Sequence, residues 1–186
     1  GMTEYVWRYK SFAEYFTSRG YVVFGNDIIS HGRSNTQKSL GLYFTDWRNV
    51  YDDAEKAREY VQEKYPGLPV YILGFSLGSY AVRTMGSLFP YKKEILIGTG
   101  DQQEMLMKLM QKKISKKYAG KMAYISDDIK ELLFGSYAKK FPGKPENYWL
   151  LTDDEKRSEY EEDRLVKTSV TPGFFCEFLK GMELAS

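Results

Sequence analysis

Val70-Tyr71-Ile72-Leu73-Gly74-Phe75-Ser76-Leu77-Gly78-Ser79-Tyr80-Ala81 is an apolar, β-prone run that enters a G-x-S-x-G turn and leaves through small, helix-compatible residues. A serine at the centre of such a strand-to-helix turn is a nucleophile elbow: the backbone is strained, Oγ is exposed, and the N–H of the next residue, here Leu77, can stabilise an oxyanion. Gly74 and Gly78 leave room for the tight turn. Ser76 is therefore the candidate nucleophile of a serine hydrolase. The chain contains one histidine, His31, and it lies upstream of Ser76, so the usual order of nucleophile, acid, then histidine is not completed within these residues.

Outward from the elbow, the pattern alternates between strand and helix. Phe12, Tyr15 and Phe16 recur at helical spacing in a segment ending at Gly20, and Tyr21-Val22-Val23-Phe24 reads as a short buried strand. Trp47, Val50, Tyr51, Ala54, Ala57, Tyr60 and Val61 trace an apolar helix face that ends near Pro66-Gly67. Val70–Leu73 forms the strand before the elbow, a helix follows it, and Glu94-Ile95-Leu96-Ile97 is a third strand. This alternation predicts a parallel α/β sheet covered by helices. Beyond Gly100 no βα alternation resumes. Met105 to Lys117 mixes Met and Leu with lysines, Asp127 to Phe134 looks helical, and Pro142 to Trp149 is irregular. The division expected is a core over residues 1–100 and a helical cap over 101–186, packed on the strand ends.

With 186 residues, 42% apolar and 28% charged, the composition is that of a globular domain. A net charge of +2 and the lack of an aromatic-basic signature argue against nucleic acid as partner. The single cysteine, Cys176, excludes an internal disulfide and a multi-cysteine metal site, and it reads as a small hydrophobe beside Phe174, Phe175 and Phe178. No run approaches the ~20 apolar residues of a membrane span. The expectation is a cytoplasmic protein needing no cofactor or metal.

A series of collinear motifs resembles the monoacylglycerol lipase and lysophospholipase group of α/β-hydrolases. They are Gly1-Met2-Thr3-Glu4-Tyr5, Phe12-Ala13-Glu14-Tyr15-Phe16, Arg19-Gly20-Tyr21-Val22-Val23, Asn26-Asp27 with His31-Gly32-Arg33-Ser34, Lys64-Tyr65-Pro66-Gly67-Leu68-Pro69-Val70, and the elbow itself. The match continues into Gly98-Thr99-Gly100 and the cap-like stretch Phe134-Gly135-Ser136-Tyr137. The resemblance implies a partial α/β-hydrolase fold with a helical cap or lid insertion, truncated at both ends. It makes Ser76 the nucleophile and gives Leu77 one oxyanion N–H. Met2 supplies the second, because it follows the Gly of an H-G-x-x-E motif whose His is absent here. Ile28 stands where the family usually has His, and Ser30 where it usually has Gly.

In that family the acid and the catalytic histidine lie on loops after two further strands, and this chain stops where those strands are expected. The function implied is hydrolysis of a lysophospholipid-like or monoacylglycerol-like carboxylic ester, or of a small acyl ester, through an acyl-serine intermediate, impaired by the missing acid and histidine. The competing class is a non-catalytic remnant acting as a ligand-binding or interaction module; a third is an acyltransferase using the same serine. Asp153 and Asp154 lie in a charged stretch, Asp153 to Asp163, that reads as a solvated face. His31 follows a predicted parallel strand, which puts it on the same sheet edge as the elbow. It is structural in the family and a surrogate base only if it reaches Ser76 Oγ.

Two expectations concern partners. Met105 to Lys121 is either a basic amphipathic helix suited to peripheral membrane contact or a cap helix with its Met and Leu inward and its lysines solvated. The family strand between the Tyr21 strand and the Val70 strand is also missing. Either those two strands pair directly or a gap leaves backbone unpaired, which predicts a homo-oligomer or a swapped assembly.

Overall fold

The computed structural model describes residues 1–35, 42, 46–101 and 103–186. It is an α/β-hydrolase fold reduced to a small parallel sheet with flanking helices. A 3-10 turn, Val6–Tyr9, leads into α1 (Lys10–Thr17), which ends with Gly20 at φ +85°. A second 3-10 turn spans Gly32–Ser34, and α2 (Arg48–Lys64) follows. Then come β1 (Tyr71–Phe75), α3 (Leu77–Leu88) and β2 (Lys93–Ile97). The second half holds α4 (Glu104–Lys117), α5 (Asp127–Lys130) continued by a π-helical turn (Glu131–Gly135), α6 (Ser136–Ala138), α7 (Asp154–Glu162) and α8 (Pro172–Leu184).

β1 and β2 pair in parallel, with Leu73 opposite Ile95 and Phe75 opposite Ile97. They are the only two strands of the sheet among the described residues. The strand expected at Tyr21 to Phe24 is not formed. That segment has no ladder partner, and Tyr21 and Phe24 are 53% and 41% exposed. The residues have strand propensity, but a strand needs a neighbour to take its N–H and C=O groups. Of the two arrangements weighed from the sequence, the structure has the gap rather than direct pairing with β1.

The core lies among α2, α3, α4 and α8, with Ile72 of β1 packed against it and β2 exposed along its length. α8 starts with Thr171 accepting the Phe174 N–H and with Pro172 in its first turn, and it buries Phe174, Phe175, Cys176, Phe178, Leu179 and Met182. Cys176 is buried, with its thiol against α4, 3.7 Å from Ser115 Oγ and 3.9 Å from the Gln111 carbonyl. α8 packs on α4 and α3, with Tyr80 edge-on to Phe178 at 5.6 Å and Trp47 tilted against Phe178 at 6.2 Å. Gly181 admits the Trp47 indole, which occupies the space a Cβ would take.

α4 divides its apolar residues. Met107 and Ile114 are buried, whereas Met105, Leu106 and Leu109 are exposed, so its Met and Leu do not all face inward. The stretch Asp153–Asp163 is likewise not a uniformly solvated face, because α7 buries Arg157 and Tyr160 on its inner side. Among the described residues, no helix is long and apolar enough to cross a membrane.

Candidate active site

Ser76 sits between β1 and α3 at φ 51°, ψ −116°. A non-glycine residue with positive φ costs about 1–3 kcal/mol and persists only where neighbours enforce it. Here the Ser76 N–H donates to the Ile97 carbonyl at 2.8 Å, which pins the elbow to the end of β2. The Ser76 carbonyl accepts from the Ser79 N–H at 2.9 Å and from Ser79 Oγ at 2.6 Å, which fixes the first turn of α3. The two elbow glycines do different work. A Cβ on Gly74 would collide with the Gly78 carbonyl as α3 passes back over β1, while a Cβ on Gly78 would meet nothing within 4 Å.

Leu77, fully buried, opens α3. Its N–H belongs to the first turn, whose amides have no partner within a helix, and the helix dipole adds partial positive charge there. The Met2 segment approaches from the other side. A Cβ on Gly1 would stand 3.4 Å from the ring of Phe75, the residue before Ser76. Glu4, Tyr9, Phe12, Leu73, Phe75 and Ile97 line a groove of about 240 Å³ between this segment and the sheet. The N-terminal segment thus lies against Phe75, the last residue of β1, which Ser76 follows at the strand's carboxyl end, where ligands of open α/β sheets bind.

His31 is 1% exposed. Its Nδ1 lies 2.9 Å from the Ile29 carbonyl and its Nε2 lies 2.7 Å from the Met2 carbonyl, and its ring packs 6.2 Å from Phe174. Both nitrogens face backbone carbonyls, so in this arrangement neither is directed at Ser76. Burial holds the imidazole below its ordinary pKa, against the opposing pull of the two carbonyls. Nearby, Asp27 accepts the Val6 N–H at 2.7 Å and the Arg33 N–H at 2.8 Å, so residues 27–33 clamp the segment that carries Met2. Asp153 is engaged in capping α7 through the Lys156 N–H at 2.9 Å, and Asp154 pairs with Arg157.

The sequence reading missed Thr3, Tyr160 and Asp163, which tie the N-terminal segment to the second half: Thr3 Oγ1 is 2.5 Å from Tyr160 OH, and Tyr5 OH donates to Asp163 at 2.8 Å. A tyrosine on the inner side of a charged helix was the one available signal. Among the described residues no group of His, Cys, Asp and Glu is arranged to hold a metal.

A serine at positive φ, at the carboxyl end of a parallel strand and the start of a helix, defines the elbow of an α/β-hydrolase. The whole chain, residues 1–186, matches the family described as "Serine aminopeptidase, S33", and the protein belongs to that α/β-hydrolase family. It is similar to a monoglyceride lipase homolog of Monkeypox virus, 37% identical over 79 residues that make up 42% of this chain and 28% of that protein. It also resembles the monoglyceride lipase of Homo sapiens, 31% identical over 78 residues, 42% of this chain and 25% of that one. Among solved structures, a thermostable carboxyl esterase from Bacillus coagulans superposes with a TM-score of 0.84 at 22% identity, over 98% of this chain and 61% of its own. A lipase in an open form superposes with a TM-score of 0.81 at 20% identity, over 100% of this chain and 63% of its own. The match spans about a quarter of the length of the two lipase relatives, and at these identities the solved structures establish the fold.

Two outcomes follow from the geometry. Gly74→Ala should lower the urea midpoint by the equivalent of about 2 kcal/mol or more, as overpacking against backbone does, whereas Gly78→Ala should be neutral or stabilising by up to ~1 kcal/mol; equal effects would refute the unequal roles. Because His31 is the chain's one histidine, its titration can be followed by NMR without ambiguity. Its midpoint should fall below the ordinary value of about 6.5. A histidine with a lowered folded pKa binds more protons when unfolded, so its stabilising contribution is lost as pH falls from about 6.5 through the folded value. A midpoint at or above 6.5 would contradict the burial argument.

Proposed function

We propose that Ser76 is the nucleophile of a carboxylic ester hydrolase acting on lipid-like or small acyl esters. The observation that carries this reading is the strained Ser76 backbone held at the strand–helix turn. In the reaction, Ser76 Oγ bonds to the ester carbonyl carbon and its proton passes to a base. The carbonyl oxygen becomes an anion facing the Leu77 and Met2 N–H groups, and the C–O bond to the alcohol breaks to leave acyl-Ser76. Water then hydrolyses the acyl-enzyme. The apolar groove beside Phe75 and the exposed Met105, Leu106 and Leu109 on α4 favour an acyl or lipid-like substrate, as does the similarity to lipases and an esterase.

The proton step is the weak one in this chain. His31 faces two carbonyls, and Asp153 and Asp154 serve α7. Loss of a triad histidine commonly costs several orders of magnitude, with a residual ~10³–10⁴ over water left to the oxyanion hole and binding. We therefore read the chain as an impaired hydrolase. The same observation favours one alternative, a non-catalytic module that keeps the acyl site for binding.

We further infer that the unpaired edges of β1 and β2 and the exposed Tyr21 to Phe24 segment are covered by a second copy of the chain.

Hydrolysis of p-nitrophenyl butyrate by the purified chain should be slow, yet above that of Ser76→Ala, and His31→Ala should lower it by no more than about tenfold, the cost of loosening the Met2 segment. A parent rate equal to Ser76→Ala selects the binding module, and a fall of His31→Ala to the Ser76→Ala background would make that imidazole the base. Solution scattering at micromolar concentration should return the mass of a dimer or larger species; a monomeric mass counts against the shared edge.

A further inference from the structure

The segment carrying Met2 is held from the second half of the chain as well as from the Asp27–Arg33 loop. Thr3 Oγ1 and Tyr160 OH are 2.5 Å apart and buried, though 157 positions separate them. Tyr160 is 2% exposed and Thr3 is 8% exposed. The Lys167 N–H donates to the Thr3 carbonyl at 3.2 Å. Arg8 lies 5.1 Å over the Tyr160 ring and 3.5 Å from Asp163, the carboxylate that accepts from Tyr5 OH. Burial raises the Tyr160 pKa, so the phenol keeps its proton at neutral pH and the pair can share one O–H donor.

On the opposite side the Met2 carbonyl faces His31. The peptide between Met2 and Thr3 is therefore fixed at the Met2 carbonyl by His31 and beyond it by the Thr3 side chain and carbonyl. The Met2 N–H lies on the preceding Gly1–Met2 peptide, one end of which is the Met2 Cα held by these bonds, so shifting that Cα away from an anion at Ser76 has to break one of them. A buried hydroxyl pair resists this strongly, because parting its members leaves each without a partner.

We propose that Tyr160 is a positioning residue for the oxyanion segment: through Thr3 it holds the Met2 N–H toward the anion formed at Ser76, so that the helical second half sets the geometry of the hydrolytic site. The proposal deepens the reading of Ser76 and Met2 given above and rests on it. Losing an oxyanion donor outright costs about 10²–10³ in rate; loosening one should cost less, about tenfold.

The probe is 1-butaneboronic acid, which bonds through boron to Ser76 Oγ, releases the serine proton to water and leaves an anionic tetrahedral boronate facing the oxyanion N–H groups. Its affinity is measured for the parent chain and for Ser76→Ala, Thr3→Val, Thr3→Ser, Tyr160→Phe and the Thr3→Val/Tyr160→Phe double variant, with urea stability recorded for each. Ser76→Ala should abolish binding. Thr3→Val and Tyr160→Phe should each weaken it about tenfold, and Thr3→Ser, which keeps the hydroxyl, should retain it.

The double variant separates positioning from packing. Replacing both partners by apolar groups restores stability, since no polar group is left unpaired, but boronate affinity should stay low. Recovery of affinity together with stability, or parent-like affinity in Tyr160→Phe, would overturn the proposal. If the parent chain does not bind the boronate, or Ser76→Ala binds equally, the serine reading itself fails. The link is then read from the Met2 and Thr3 amide NMR shifts, which should move in Tyr160→Phe; unmoved shifts overturn it.

Discussion

Two parallel strands cannot build a stable domain, since each offers one ladder and the pair has too little surface to close a core. Everything else in this fold depends on how that deficit is met. α8 meets it: Phe174, Phe175, Phe178, Leu179 and Met182 are buried, and each well-buried side chain of this size contributes about 1.5–3 kcal/mol. The helix is anchored by polar bonds that cannot be exchanged for water. The Thr171 hydroxyl donates to the Leu42 carbonyl at 2.8 Å, and the buried Glu177 carboxylate accepts the Trp47 N–H at 2.9 Å. The N-terminus of α2 and the whole of α8 are thereby fastened together across a sequence separation of 130 residues. The sheet then needs only to present its carboxyl end, which it does through the Ser76 to Ile97 bond.

What could be read from the sequence was local. The elbow is a contiguous motif whose backbone demand is met by its own glycine and by the first turn of the helix behind it, so Ser76 and Leu77 were legible without knowledge of the rest. α2 and α3 were legible because periodicity records which face is buried, whereas β1 and β2 were legible as short apolar, β-prone runs although β2 is exposed along its length. Tyr21 to Phe24 shows where this fails. A β-branched and aromatic run carries the propensity of a strand but says nothing about whether a neighbour exists, and the hydrogen bonds of a strand belong to the pair. His31 was legible as one of the family's loop residues, but the partners of its two nitrogens depend on the placement of Ile29 and Met2.

The least legible part was the support of the site. α7 has the composition of a solvated helix, and its charged residues other than Arg157 do face water; the two side chains turned inward are Arg157 and Tyr160. Thr3 and Arg8, the partners of Tyr160, lie near the opposite end of the chain. Composition averages over a helix, whereas the constraint on the Met2 segment comes from one phenol and one hydroxyl, so no windowed reading of Asp153–Asp163 could have found it.

Hydrolysis at such a site divides into two tasks with different structural requirements. Stabilising the oxyanion asks for N–H groups held in place before the reaction, so that nothing has to reorganise when charge develops. Moving the serine proton asks for a titratable group within hydrogen-bond reach. On the proposed reading, the residues of this chain serve the first task. The strained Ser76 backbone is pinned at β2 and at the first turn of α3, while the Asp27 clamp, the His31 contact with the Met2 carbonyl and the Thr3–Tyr160 pair restrain the N-terminal segment. The chain's one imidazole is itself used as part of that restraint, with both nitrogens turned to carbonyls. A side chain cannot hold a backbone carbonyl with the same nitrogen that would accept the Ser76 proton, so on the proposed reading His31 serves pre-organisation at the expense of general-base chemistry.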